Sequence, residues 1–138
     1  MRQLAADLPH LQCVKITPSA EDIQTLLTQK SREQALAELK ADFPAQLREL
    51  HLYPTDDHTT AVRQLLIDAL PAMPRIETLV WCDAKYCEYR DYESLSFDAL
   101  LQLPQLTHLE CVFGISLQQL AVVKQLPALR KLWSNEGH

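Results

Sequence analysis

The sequence predicts an α/β solenoid. It would be one domain over residues 1–138, with a parallel β-sheet of about five strands on an open face and helices on the other. Three observations predict it. A phrase of an apolar residue, proline and an aliphatic triplet spaced i, i+3, i+5 recurs along the chain. The triplets are Leu11/Val14/Ile16, Leu47/Leu50/Leu52, Ile76/Leu79/Trp81, Leu106/Leu109/Cys111 and Leu129/Leu132/Ser134, with starts 36, 29, 30 and 23 residues apart. Segments of helical periodicity fill the intervals, and strands alternating with helices argue for a parallel sheet. Finally, only two glycines occur among 138 residues, so neither Gly-rich linkers nor Gly-rich phosphate loops interrupt the pattern.

The elements follow in chain order. Leu8-Pro9 introduces the first strand unit, residues 8–17; proline there ends any preceding helix. Ser19 to Asp42 is a long helical segment. Ser19 and Asp22 suit an N-terminal cap. Ile23, Leu26 and Leu27 stripe its first half, and Leu36, Leu39 and Phe43 its second, with a polar break over residues 28–33. Leu47 to Tyr53 is the second strand. Thr59 to Leu70 is a helix whose Val62, Leu65, Leu66, Ala69 and Leu70 form one amphipathic face. Strand three runs over residues 77–82. After the irregular stretch 83–93, Ser96 caps a short helix carrying Phe97, Leu100, Leu101 and Leu103. Strand four covers 107–113. Ser116 and Gln119 form a capping box for a last helix that buries Leu117, Leu120 and Val123, with Leu126 a further candidate. Strand five, 130–134, closes the series, and the tail 135–138 is expected to fray.

Stacked units would align like positions into columns about 4.8 Å apart. The triplets face the helices. The open face then carries Cys13, Glu49, Thr78, His108 and Lys131 in one column. Lys15, His51, Val80, Glu110 and Trp133 form the next, and Thr17, Tyr53, Cys82, Val112 and Asn135 the third.

An LxxLxL triplet after a helix and a proline resembles the strand signature of leucine-rich repeat proteins, here in five units over nearly the whole chain. The family commonly has Asn three positions beyond the triplet, where this chain has Ser19, Thr55, Ala84, Gly114 and Gly137. Repeat lengths are irregular too, so the resemblance is to a short, degenerate member. It implies a curved parallel sheet whose concave face binds other proteins, and it does not imply catalysis. A helical solenoid is the alternative fold. It is disfavoured because proline before each triplet would break such helices.

Composition narrows the function. A net charge of −5 argues against nucleic acid, which calls for a basic footprint, and suits a basic protein partner. No apolar run approaches the 18 residues of a membrane span, and the N-terminus lacks the apolar core of a signal peptide, so a cytoplasmic protein is expected. Cys13, Cys82, Cys87 and Cys111 then read as free thiols. No phosphate-loop, dinucleotide or nucleophile-elbow motif is present.

The expected partner-binding residues are His51, Tyr53, Val80, Cys82, His108, Glu110 and Trp133 on the sheet, with Tyr86, Tyr89 and Tyr92 in an aromatic-acidic loop, 83–93. Tyr and Trp are common interface anchors because a rigid ring buries much area at low entropy cost. His51, Cys82, His108 and Glu110 lack the paired spacing of a zinc site, so neither metal nor cofactor is expected. A general protein-binding module is the leading reading, and a dedicated inhibitor or immunity protein the alternative. A thiol or metal-assisted enzyme built on Cys82, His51 and His108 is the third and least supported. The chain is expected to be a monomer or a dimer through an uncovered edge strand.

Overall fold

A computed structural model describes residues 13–15, 19–53, 59–82, 95–111 and 116–134. Five strands are β1 (Cys13–Lys15), β2 (Glu49–Leu52), β3 (Thr78–Trp81), β4 (His108–Cys111) and β5 (Lys131–Ser134). They pair in sequence order, and every pair is parallel. The strands are unequal: β2 to β5 have four residues each, whereas β1 has three. Among the described residues the α-helices are α1 (Ala20–Gln29), α2 (Arg32–Asp42), α3 (Thr60–Ala69) and α4 (Leu117–Val123). Two 3-10 helices, Leu70–Ala72 and Asp98–Gln102, complete the layer.

The apolar-proline phrase has a structural cause. In each of the four described phrases the residue before the proline ends a helical turn: the N–H of Phe43, Met73, Leu103 and Leu126 donates to the Lys40, Leu70, Leu100 and Val123 carbonyl, respectively. All four side chains are buried, which is why the position is apolar. Proline next in line carries no N–H to satisfy. Another turn then feeds each strand. The Ile76 N–H donates to the Met73 carbonyl and the Leu106 N–H to the Leu103 carbonyl. In the unit with one extra residue, the Leu47 N–H donates to the Pro44 carbonyl instead. The insertion is thus absorbed inside the turn, and the strand keeps its register.

A second arrangement recurs between units. The Arg48 carbonyl accepts from the Glu77 and Thr78 N–H groups. The Glu77 carbonyl accepts from Thr107 and His108, and the Thr107 carbonyl from Arg130 and Lys131. The entries of β3, β4 and β5 are each fixed to the preceding strand in the same way. This sets the register in which Leu50, Leu79, Leu109 and Leu132 are successive partners.

The core lies between sheet and helices. Leu47, Leu50, Leu52, Ile76, Leu79, Trp81, Leu106, Leu109 and Cys111 join Ile23, Leu39, Val62, Leu65, Leu66 and Leu70 in one buried cluster. Burying a side chain of this size contributes about 1.5–3 kcal/mol. In the third triplet column Trp81 pairs with Cys111 in register, a large residue beside a small one. A small apolar cavity remains there, lined by Trp81, Phe97, Leu109 and Cys111 among others.

Several expectations need correction. The segment over residues 19–42, expected as one broken element with two short helices as the alternative, is two helices. The break falls at Ser31, whose hydroxyl accepts from the Gln34 N–H while the Gln34 side chain accepts from the Ser31 N–H. This Ser-x-x-Gln box lay within the stretch read only as polar. The expected helix after Ser96 is a 3-10 turn beginning at Asp98, and Leu101 is exposed. Five residues are too few to turn both Leu100 and Leu101 inward. Leu117 does not face the core either; it is 85% exposed. It sits first in α4, where the Ser116–Gln119 capping box turns Gln119 and Val123 inward instead. β2, β3 and β5 are also shorter than the expected spans 47–53, 77–82 and 130–134.

Candidate functional site

The candidate site is the face of the sheet opposite the core. Side chains alternate along a strand, so burying Leu50 and Leu52 directs Glu49 and His51 to the other side. The observed pairings reproduce the first expected column: Cys13 with Glu49, Glu49 with Thr78, Thr78 with His108, and His108 with Lys131. They reproduce the second as well, from Lys15 through His51, Val80 and Glu110 to Trp133.

Two imidazole–carboxylate pairs lie on this face. His51 Nε2 is 2.6 Å from Glu49 Oε2, and His108 Nε2 is 3.4 Å from Glu110 Oε1. Each joins residues two apart on one strand, with the order reversed between β2 and β4. Between them runs β3, with Thr78 and Val80. Trp133 (49% exposed) and Tyr53 (39%) are the large aromatic rings open to solvent among the described residues.

Not every expected site residue is available. Val80 is buried, because it stands on the middle strand with His51 and Glu110 as its register partners. Cys82 is half-buried; its N–H donates to the Leu52 carbonyl just past β3. Tyr86, Tyr89 and Tyr92, with the rest of loop 83–93, lie outside the described residues. So do Thr17, Val112 and Asn135 of the third column.

Cys111 is a core residue. Burial, with Glu110 beside it in sequence, pushes its thiol from 9.0 up to about 12. A thiol held protonated in this way is a poor nucleophile and a poor ligand. Cys13 differs, being exposed. Its sulfur, a Glu49 carboxylate oxygen and a His51 ring nitrogen all lie within 4.8 Å of one another. Sequence reasoning missed this group because it weighed His51 with Cys82 and His108. Glu49-x-His51 and the alignment of Cys13 with Glu49 were the signals that could have found it.

No helix among the described residues is long and apolar enough to cross a membrane. Comparison of the chain with family models, with curated proteins and with solved structures finds no match.

Proposed function

We propose that the chain is a short leucine-rich-repeat-like solenoid whose exposed sheet face binds another protein, rather than an enzyme. The observation that carries this reading is the contrast across the sheet. One side buries the triplets of β2, β3 and β4 against the helices. The other combines exposed Trp133 and Tyr53 with the His51/Glu49 and His108/Glu110 pairs. Exposed aromatics amid polar groups supply the anchors and rim of an interface. The repeated turn before each triplet, and the repeated hydrogen bonds at each strand entry, support a solenoid of stacked units. A basic partner fits Glu49, Glu110 and the net charge of −5.

The test is site-directed photo-crosslinking in the native cell. A photoreactive residue replaces His108 or Trp133 on the sheet, and Gln24 or Thr25 on α1 as the control face. The reading expects the sheet positions to trap the same protein, with trapping at position 108 lost on Trp133→Ala and weakened by Glu110→Lys. Trapping from the α1 positions alone, or trapping indifferent to both substitutions, would refute it. A single partner whose own activity stops on binding makes the chain an inhibitor, whereas several partners make it an adaptor.

A further inference from the structure

We propose that Cys13, Glu49 and His51 form a binding site for a zinc-class divalent cation that clamps β1 to β2. Three different donor types converge there. The thiol, carboxylate and imidazole atoms lie within 4.8 Å of one another. Bonds of about 2.0–2.3 Å in a tetrahedral shell would place such atoms on the order of 3–4 Å apart. Closing the gap asks only for side-chain adjustment, since the backbone is already placed. Glu49 and His51 are two apart on one strand, and Cys13 is the register partner of Glu49 on the next. A carboxylate, an imidazole and a thiolate together suit zinc better than a hard cation, which prefers an all-oxygen shell. The thiolate and the carboxylate balance the two charges of the ion. Three protein ligands leave the fourth position for water or a donor from a bound molecule.

Binding changes the protonation of the group. The Cys13 thiol gives up its proton to solvent as the sulfur–metal bond forms. The contact between His51 and Glu49 opens, and a neutral His51 nitrogen turns its lone pair to the ion. The ion is neither oxidised nor reduced. Because a proton leaves as the ion binds, affinity rises with pH. The mechanical consequence follows from topology. Among the described residues β1 is the outer strand with three paired positions, so a cross-strand ion fastens it to β2. The site shares Glu49 and His51 with the proposed partner-binding face but uses neither Trp133 nor Tyr53, so metal binding is tested without any partner.

The experiment titrates the reduced, metal-stripped full chain with Zn²⁺ against a chromophoric chelator, and with Co²⁺ as a spectroscopic stand-in. One ion should bind per chain, with a thiolate-to-cobalt charge-transfer band and a rise in Tm on adding Zn²⁺. Cys13→Ser should abolish the band. Cys13→Ser and His51→Gln should each weaken Zn²⁺ binding by about 100-fold or more, since even losing a residue that merely supports a ligand typically costs 10–100-fold. Cys82→Ser should change nothing. Absence of the band in the wild type, its survival in Cys13→Ser, or its equal loss in Cys82→Ser would overturn the site. Metal-free melts confirm that each variant folds. If Cys13→Ser does not fold, His51→Gln decides: unchanged Zn²⁺ affinity there overturns the proposal.

Discussion

Leu79 and Leu132 occupy the same place in their units and share one column of the sheet, yet their surroundings differ. Leu79 is 2% exposed and Leu132 is 39% exposed. Both follow an apolar-proline phrase, and both belong to strands paired in register. The difference is what lies beyond. β3 has a strand on either side, and its Leu79 and Trp81 line one small cavity together with Ile67, Leu70 and Leu100. β5 has only β4 beside it in the sheet order, and Leu129 before it is only partly buried. A repeat of this kind does not bury its own apolar face; its neighbours do. Identical sequence grammar therefore gives a core residue in one unit and a surface residue in the last.

The sharpest way to break that comparison is a matched pair of truncations. Leu79→Ala should destabilise by ~2–5 kcal/mol, because it removes fully buried methyl groups and leaves a cavity. Leu132→Ala should cost less than ~1 kcal/mol, in keeping with the burial it already lacks. Urea unfolding of both variants measures the gap. Equal losses would mean that β5 is covered in solution.

Gln119 tests how far the well-packed region extends. It is buried in α4, where its amide donates to the Leu95 carbonyl (2.9 Å) and its oxygen accepts from the Ser116 N–H (3.0 Å). Gln119→Ala should cost ~1–3 kcal/mol by stranding both backbone groups. It should also speed amide exchange at Ser116, read by mass spectrometry. Gln64 grips the neighbouring residue from the other side, through the Ser96 N–H and carbonyl, but is only half-buried, so Gln64→Ala should cost less.

Cys111 sharpens the contrast through pH. Its thiol is raised from 9.0 to about 12, so below pH 9 it is protonated in both folded and unfolded chains and adds no pH dependence. Above pH 9 the unfolded chain releases the proton and the folded chain keeps it. Stability should then fall by up to ~1.4 kcal/mol per pH unit until about pH 12. Cys111→Ala should flatten that slope in melts between pH 8.5 and 10.5. In the native protein iodoacetamide should label exposed Cys13 well before Cys111. The smallest expected effect lies on the helical side. Arg32→Ala removes the exposed ion pair with Asp68 and should shift stability by no more than ~1 kcal/mol.

Much of the fold was legible before any coordinates. The triplet Leu106/Leu109/Cys111 could be read as a strand because its apolar residues are spaced for one face and a proline closes the preceding helix. Ser19 and Ser116 announced helix starts because a short hydroxyl side chain can reach the backbone N–H three residues on. Leu117 and Leu101 misled because hydrophobicity alone does not say which way a short helix turns. The site was half legible. Three columns could be listed from the spacing, and the pairings match the first two, but spacing could not say that Val80 would be covered.

What the amino-acid sequence determined by itself was local. It set where helices start and stop, which residues alternate on each strand, and which positions of successive units align, since these depend on backbone geometry within a few residues. What only the tertiary structure decided was neighbourhood. The meeting of Cys13 with Glu49 and His51, the protection of Cys111, and the exposure of Leu132 each depend on groups far away in the chain. Burial and proximity are properties of the assembled layers, and no single unit contains them.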